Sequence, residues 1–330
     1  MIAAVKTPRQ SQLGGTAASR TKPNFFIVGK PKCGTSTLHA ILDQHPDIYM
    51  SKVKEPHHFH GEYMEEAGRR NTGYRGLPYR ELAAYLELFD DATTERIVGE
   101  SSTGYLYSKR AAGKIAQFNP HAKILMIFRE PVDFLRSLHS QLLRSANENE
   151  PDFRNALMLE ESRKRGENIP ATTSYPGNLF YTEQAKYSEQ AERFLEAFAR
   201  SQIKILIFED FKKDNLGVYR EVLEFLGVDE SFRPRVVKLQ AYRGVRFVKL
   251  ANWLTYHGEK KEGALGQRAP GWLIDPPRRV LGKVFFKDAE RTPLDPAFRR
   301  DLAAQFKPEV IRLSEVSGID LLEKWGYDHV

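Results

Sequence analysis

The stretch Phe26-Ile-Val-Gly-Lys-Pro-Lys-Cys-Gly-Thr-Ser-Thr-Leu-His-Ala-Ile-Leu42 decides the fold. An apolar run leads to Gly29, four residues follow, and after Gly34 apolar residues recur at helical spacing through Leu38, Ile41 and Leu42. A strand, a glycine-bearing turn and a helix start make an anion site, because backbone N–H groups and the positive end of the helix dipole converge there. Gly29 and Gly34 permit a tight path, Thr35, Ser36 and Thr37 add hydroxyls, and Lys32 puts a compact cation inside the loop. A nucleoside-triphosphate loop carries its lysine directly after the second glycine. Here Thr35 holds that place, and Lys32 lies two residues before Gly34. An ordinary capped turn explains neither the lysine nor the run of hydroxyls. Cys33 reads as filler, because no histidine is placed to make it a reactive thiolate.

Outward from this loop, short apolar runs bounded by polar residues predict further buried strands at 96–100, 122–128 and 203–209, with a shorter one at 48–51 and the first at 24–29. Helical patterns alternate with them at 79–89, 131–146, 183–199 and 219–227. The alternation predicts an α/β fold, a single domain with a central, mostly parallel sheet flanked by helices. Residues 1–23 read as a flexible tail and 24–330 as the domain. Segments 147–178 and 257–296 are polar and interrupted, and are expected to be lid or acceptor loops over a crevice at the C-terminal strand ends.

The 330 residues carry 50 Lys and Arg against 43 Asp and Glu, a net charge of +7. Acids are interspersed with the bases and nucleic-acid signatures are missing, so no nucleic-acid partner is expected. No apolar run approaches the roughly 18 residues of a membrane span. The first residues lack the basic start and apolar centre of a secretory signal, and Cys33 is the only cysteine, so a cytoplasmic location is the expectation. The strand Ile-Leu-Ile-Phe-Glu-Asp, 205–210, ends in acids that could imitate a magnesium ligand. A P-loop kinase or ATPase using Mg-ATP is therefore the alternative, weakened by the displaced lysine. A non-catalytic nucleotide-binding module is a further alternative.

Val-Gly-Lys-Pro-Lys-Cys-Gly-Thr-Ser-Thr-Leu, 28–38, resembles the 5′-phosphosulfate loop of sulfotransferases that use 3′-phosphoadenosine 5′-phosphosulfate (PAPS). Lys-Glu-Pro-His-His-Phe, 54–59, resembles the Lys-Glu-Pro-His segment of the heparan-sulfate-type, carbohydrate branch. Ile-Phe-Arg-Glu-Pro-Val-Asp-Phe-Leu-Arg-Ser-Leu-His-Ser, 127–140, resembles the 3′-phosphate signature, with Arg129 at a strand end and Ser137 eight residues on. The blocks stand in the family's order, and the likeness covers about residues 24–145.

The resemblance implies transfer of a sulfuryl group from PAPS to a hydroxyl or amine of a small-molecule or glycan acceptor. Lys32 would neutralise the departing phosphate, and residues 33–37 (Cys33, Gly34, Thr35, Ser36, Thr37) would hold the 5′-phosphate. Arg129 and Ser137 would take the 3′-phosphate, with Arg268 as a further candidate. Glu55 corresponds to the family's catalytic glutamate, the general base; His57 and His58 are rival bases. A surface pairing of Glu55 with Lys52 or Lys54, and of Arg129 with Glu130 or Asp133, are the plain structural readings of the same residues. Glu100 and Ser101 are expected to face the crevice near the acceptor. Sulfuryl transfer needs in-line geometry and charge stabilisation, and its smaller charge makes a metal less necessary. The cluster His57, His58 and His60 lacks a fourth ligand, so no metal is expected. Tyr74, Tyr79, Tyr175 and Tyr181 are candidates for stacking on sugars.

Overall fold

Five short apolar runs become parallel strands: β1 (Phe25–Gly29), β2 (Ile48–Met50), β3 (Ile97–Ser101), β4 (Lys123–Phe128) and β5 (Ile203–Ile207). β1 and β3 are buried along their whole length, as a sheet covered on both faces requires. The structure, a computed structural model, describes residues 21–70, 77–235, 243–245, 286–288 and 293–330. Among these the strands pair in the order β2-β3-β1-β4-β5. Phe26 stands beside Glu100 of β3, and Ile27 beside Leu125 of β4.

That order fixes where a ligand can sit. The chain leaves β1 through helix α1 (Thr35–Leu42) towards β2 and β3 on one side, then crosses to β4 and β5 on the other. The connections after β1, β3 and β4 therefore open at one switch point at the carboxyl ends of the strands. Helix α2 (Gly61–Arg70), α3 (Leu82–Leu86) and α4 (Ala111–Phe118) lie on the β2–β3 side of the sequence path. α5 (Pro131–Arg144) follows β4; Glu130 caps it by accepting from the N–H groups of Val132 and Asp133, and Pro131 opens the first turn.

Segment 147–178, expected as an irregular loop, holds two short helices, α6 (Phe153–Met158) and α7 (Glu160–Lys164). Its organiser is an ion pair that polar composition conceals: Arg163 and Glu148 are both fully buried, 2.6 Å apart, and Tyr181 OH donates to the same carboxylate at 2.8 Å. The expected helix 183–199 is broken into α8 (Tyr181–Gln184) and α9 (Tyr187–Ala197). Glu309 accepts from the N–H and hydroxyl of Ser188 and so caps the second piece.

β5 ends at Ile207, two residues earlier than predicted, because Phe208–Lys213 forms helix α10; α11 (Asn215–Leu226) follows. A two-stranded antiparallel pair, β6 (Arg243–Val245) and β7 (Phe286–Asp288), stands apart from the main sheet. The chain ends in α12 (Pro296–Ser317) and α13 (Leu321–Trp325). α12 carries Pro308 inside it, a residue that removes one helical hydrogen bond and breaks the sequence pattern. Among the described residues no helix is long and apolar enough to cross a membrane. The tail at 1–20, Tyr74, Arg268 and most of the expected lid at 257–296 lie outside the described residues.

Candidate active site

The loop after β1 is built by close approach. A Cβ on Gly29 would lie 2.7 Å from Leu106 Cβ, and one on Gly34 would lie 2.9 Å from the Phe211 ring. Gly34 sits at φ 82° and begins α1 without any side-chain cap. The first N–H groups of an uncapped helix face outward and attract anions. Lys32 is held at φ 64°, and its carbonyl accepts from Arg129 Nη1 at 3.4 Å. The two cations expected to read different phosphates are thus in contact through the loop backbone. Ser36 is exposed, while Thr35 and Thr37 are buried. Cys33 is buried too, and burial pushes its thiol up to about 12, which removes it as a nucleophile.

Arg129 rests with its guanidinium 4.7 Å from the centroid of Phe208, and its Nε is buried without a hydrogen-bond partner. Neither neighbouring acid engages it: Glu130 and Asp133 are taken by Arg299 of α12. Ser137, two turns into α5, is buried. An uncapped helix start, an unsatisfied guanidinium donor and a loop lysine fit a ligand bearing phosphates.

Glu55 lies on the turn after β2, tied to the end of β3 by its N–H, which donates to the Ser101 carbonyl at 2.9 Å. Its carboxylate meets Lys54 Nζ at 2.9 Å and His57 Nε2 at 3.3 Å. Burial pushes this carboxyl up, but the Lys54 charge and the His57 contact outweigh it and hold the group well below the usual carboxylate range. Lys52 pairs with Asp91 instead. Glu55 and His57 both have left-handed backbones, φ 64° and φ 55°, each costing on the order of 1–3 kcal/mol.

Glu100 supplies the restraint. Its fully buried carboxyl, pushed up by burial, accepts from Ser102 Oγ at 2.7 Å, Tyr105 OH at 2.7 Å and Tyr85 OH at 3.0 Å. The Ser102 and Tyr105 oxygens in turn accept from the backbone N–H groups of His57, at 3.1 Å, and Phe59, at 3.3 Å. Glu100 therefore orients the turn that carries Glu55 and does not face the crevice as a reactive group. Ser101 Oγ bonds His39 Nδ1 at 2.9 Å; burial lowers that imidazole to about 4, so it stays neutral at physiological pH.

The sulfotransferase domain family matches residues 22–264. The chain belongs to that family. Carbohydrate sulfotransferase 15 of Rattus norvegicus is 27% identical over 255 residues, covering 63% of this chain and 44% of its own length. Heparan sulfate glucosamine 3-O-sulfotransferase 3B1 of Mus musculus is 26% identical over 251 residues, covering 76% of this chain and 56% of its own. The chain spans about half the length of the curated relatives it matches. A sulfotransferase from Alicyclobacillus acidocaldarius, known from its crystal structure, is 30% identical, with a TM-score of 0.67 over 92% of this chain and 99% of that one.

Within this sulfotransferase domain, His58 is turned away from Glu55. Its Nδ1 donates to the Tyr79 carbonyl at 2.7 Å, and its ring stacks on Tyr85 at 4.3 Å. His57 is the histidine that meets the carboxylate. Tyr181 is buried against Glu148, whereas Tyr175 lies 5.3 Å from Tyr63, which stacks on His57 at 4.8 Å. The acids after β5 are committed elsewhere: Glu209 accepts from Trp325 Nε1 at 3.0 Å, and Asp210 pairs with Lys324 at 2.8 Å. Both acids after β5 are thus already partnered, and in a chain of this family the kinase alternative finds no support.

Sequence reasoning missed Lys30. Its side chain is fully buried, with Nζ 3.3 Å from Gln184 Oε1 and within 5.8 Å of the centroids of Tyr107, Phe134 and Tyr187. Burial lowers its ammonium to about 7. A lysine directly after a buried strand was the available signal. It was overshadowed by Lys32.

Proposed function

We propose that this domain transfers a sulfuryl group from PAPS to a hydroxyl or amine of a carbohydrate-like acceptor. The observation that carries the reading is the convergence, at one switch point, of the Lys32 loop, the Arg129 guanidinium it contacts and the ionised Glu55. PAPS supplies an activated sulfuryl group on a phosphate leaving group. The loop N–H groups of residues 33–37 and Ser36 would hold its 5′-phosphate, and Arg129 with Ser137 its 3′-phosphate. Lys32 neutralises charge on the leaving side, acting where charge develops.

Glu55 takes the acceptor's proton. Lys54 keeps it ionised, and His57 orients its second oxygen. The cost of a low carboxylate basicity is met by position, because the turn is fixed through Glu100 before any acceptor arrives. No step requires a metal.

The test uses the nucleotide product. Adenosine 3′,5′-bisphosphate in the presence of EDTA raises the unfolding temperature, because a ligand that binds only the native state stabilises it. ADP gives a much smaller shift, since it leaves Arg129 without its phosphate, and Arg129→Ala erases most of the difference. Stabilisation by Mg-ATP with no response to the bisphosphate would reverse the assignment.

A further inference from the structure

The proposed reaction makes no use of Lys30, the residue that follows β1. Its ammonium is fully buried among Tyr107, Phe134 and Tyr187, and among the described residues its hydrogen-bond partner is Gln184 Oε1 at 3.3 Å. Glu309 attracts it from a distance but is bonded to Ser188, and Arg193 repels it. A buried ammonium with no carboxylate in contact lowers stability. A methionine of similar length would fill the same space without that penalty. Packing alone therefore gives no reason for a lysine here.

Gln184 gives one. It is 3% exposed, and both ends of its amide are used: Oε1 accepts from Lys30, and Nε2 donates to the Gly177 carbonyl at 3.0 Å. Gly177 lies so close to Tyr175 that a Cβ there would stand 2.6 Å from the ring. Tyr175 meets Tyr63 at 5.3 Å, and Tyr63 stacks on the His57 imidazole at 4.8 Å. Tyr107, which faces the ammonium, also stands edge-on to Tyr175 at 6.3 Å. A chain of contacts thus runs from the start of the glycine loop to the histidine that meets Glu55.

The Glu100 network does a different task. It holds His57 by the backbone N–H, through Ser102. A backbone bond leaves the side-chain torsions open, so the plane of the imidazole is set by the rings around it. Tyr63 covers its face, and Tyr175 backs Tyr63.

We infer that Lys30 is a positioning residue for the sulfuryl transfer: through Gln184 it ties segment 175–184 to the glycine loop, and so sets the Tyr175–Tyr63–His57 stack against Glu55. The inference rests on the proposed reaction. Lys30 itself touches neither nucleotide nor acceptor, and acts through the side chains it fixes.

Lys30→Met and Gln184→Met cut the link at its two ends in the full chain. Each is expected to speed hydrogen exchange in the peptide 175–186 about tenfold, while adenosine 3′,5′-bisphosphate with EDTA still stabilises both variants. With labelled PAPS and heparan sulfate, cello-oligosaccharides or water as the sulfuryl acceptor, kcat should fall about tenfold or more and the KM for PAPS should hold. The double variant should be no slower than the slower single one, because both substitutions remove one link. A lysine that served only the fold would not slow the reaction while leaving the protein as stable as before. Unchanged exchange in 175–186 in both variants would overturn the inference, as would faster exchange with wild-type kcat, or additive losses in the double variant. Loss of the bisphosphate response in the variants alone would place Lys30 in the nucleotide site and overturn the positioning role. A wild type that neither responds to the bisphosphate nor transfers sulfuryl sinks the transferase reading itself, a result distinct from all of these.

Discussion

Lys30→Met tests how the fold tolerates a buried cation at the end of β1, where the glycine loop begins. The wild-type ammonium is moved from 10.5 to about 7 by burial, with Arg193 adding repulsion and Glu309 some relief. A lysine lowered in the native state is a penalty fully present below about pH 7 and relieved as pH rises towards its unfolded value, because the unfolded chain binds the extra proton. Linkage then puts the penalty at ~4 kcal/mol near pH 7 and ~1 kcal/mol near pH 9.5. Methionine keeps the length and makes favourable sulfur contacts with the rings. It leaves Gln184 Oε1 without its Lys30 donor, a cost of about 1–3 kcal/mol that does not vary with pH. The variant should therefore be more stable than wild type by roughly 1–3 kcal/mol near pH 7 and level with it or weaker near pH 9.5. Urea unfolding followed by intrinsic fluorescence at a series of pH values measures the difference directly. Parallel stability curves for the two proteins would refute the reasoning, because Lys30 would then be charged throughout and stabilised by its aromatic surroundings.

Removing the Lys54 charge should raise the Glu55 carboxyl, so Lys54→Met is expected to move the acidic limb of the kcat/KM profile upward by about one pH unit or more; an unmoved limb would discharge Glu55 as the base. Arg163→Leu leaves the Glu148 carboxylate buried without its cation and should cost about 3–5 kcal/mol. Thermal or urea unfolding checks this, and a cost under about 1 kcal/mol would show that water reaches Glu148.

The strands and the switch point were legible because each β-run is short, apolar and bounded, and because the glycine loop names its own place between strand and helix. Lys32 stood out by its place two residues before Gly34, Arg129 by its charge at the end of an apolar run, and Glu55 only through the resemblance of residues 54–59 to the family's block. His58 was indistinguishable from His57 in sequence. A left-handed turn at His57 decides which imidazole meets the carboxylate. The helix containing Pro308 was hidden for the opposite reason, since a long apolar face is interrupted by a residue that ordinarily ends one.

The carboxyl-terminal helices explain why Arg129 is available to a ligand. In sequence it precedes Glu130 and lies near Asp133, either of which could have absorbed its charge. Glu130 instead caps α5, accepts from Tyr327 OH at 2.6 Å and meets Arg299 at 3.3 Å, while Asp133 takes the other arm of Arg299 at 2.8 Å. Glu209, the remaining acid of this neighbourhood, accepts from Trp325 and from the Glu130 N–H. Each carboxylate near Arg129 is thus given a partner from α12, α13 or the residues just beyond them. The guanidinium is left against the face of Phe208 with its Nε unsatisfied. A segment more than 160 residues from Arg129 in sequence thus partners the acids around that guanidinium, and so shapes the candidate site although none of its residues carries a recognisable motif.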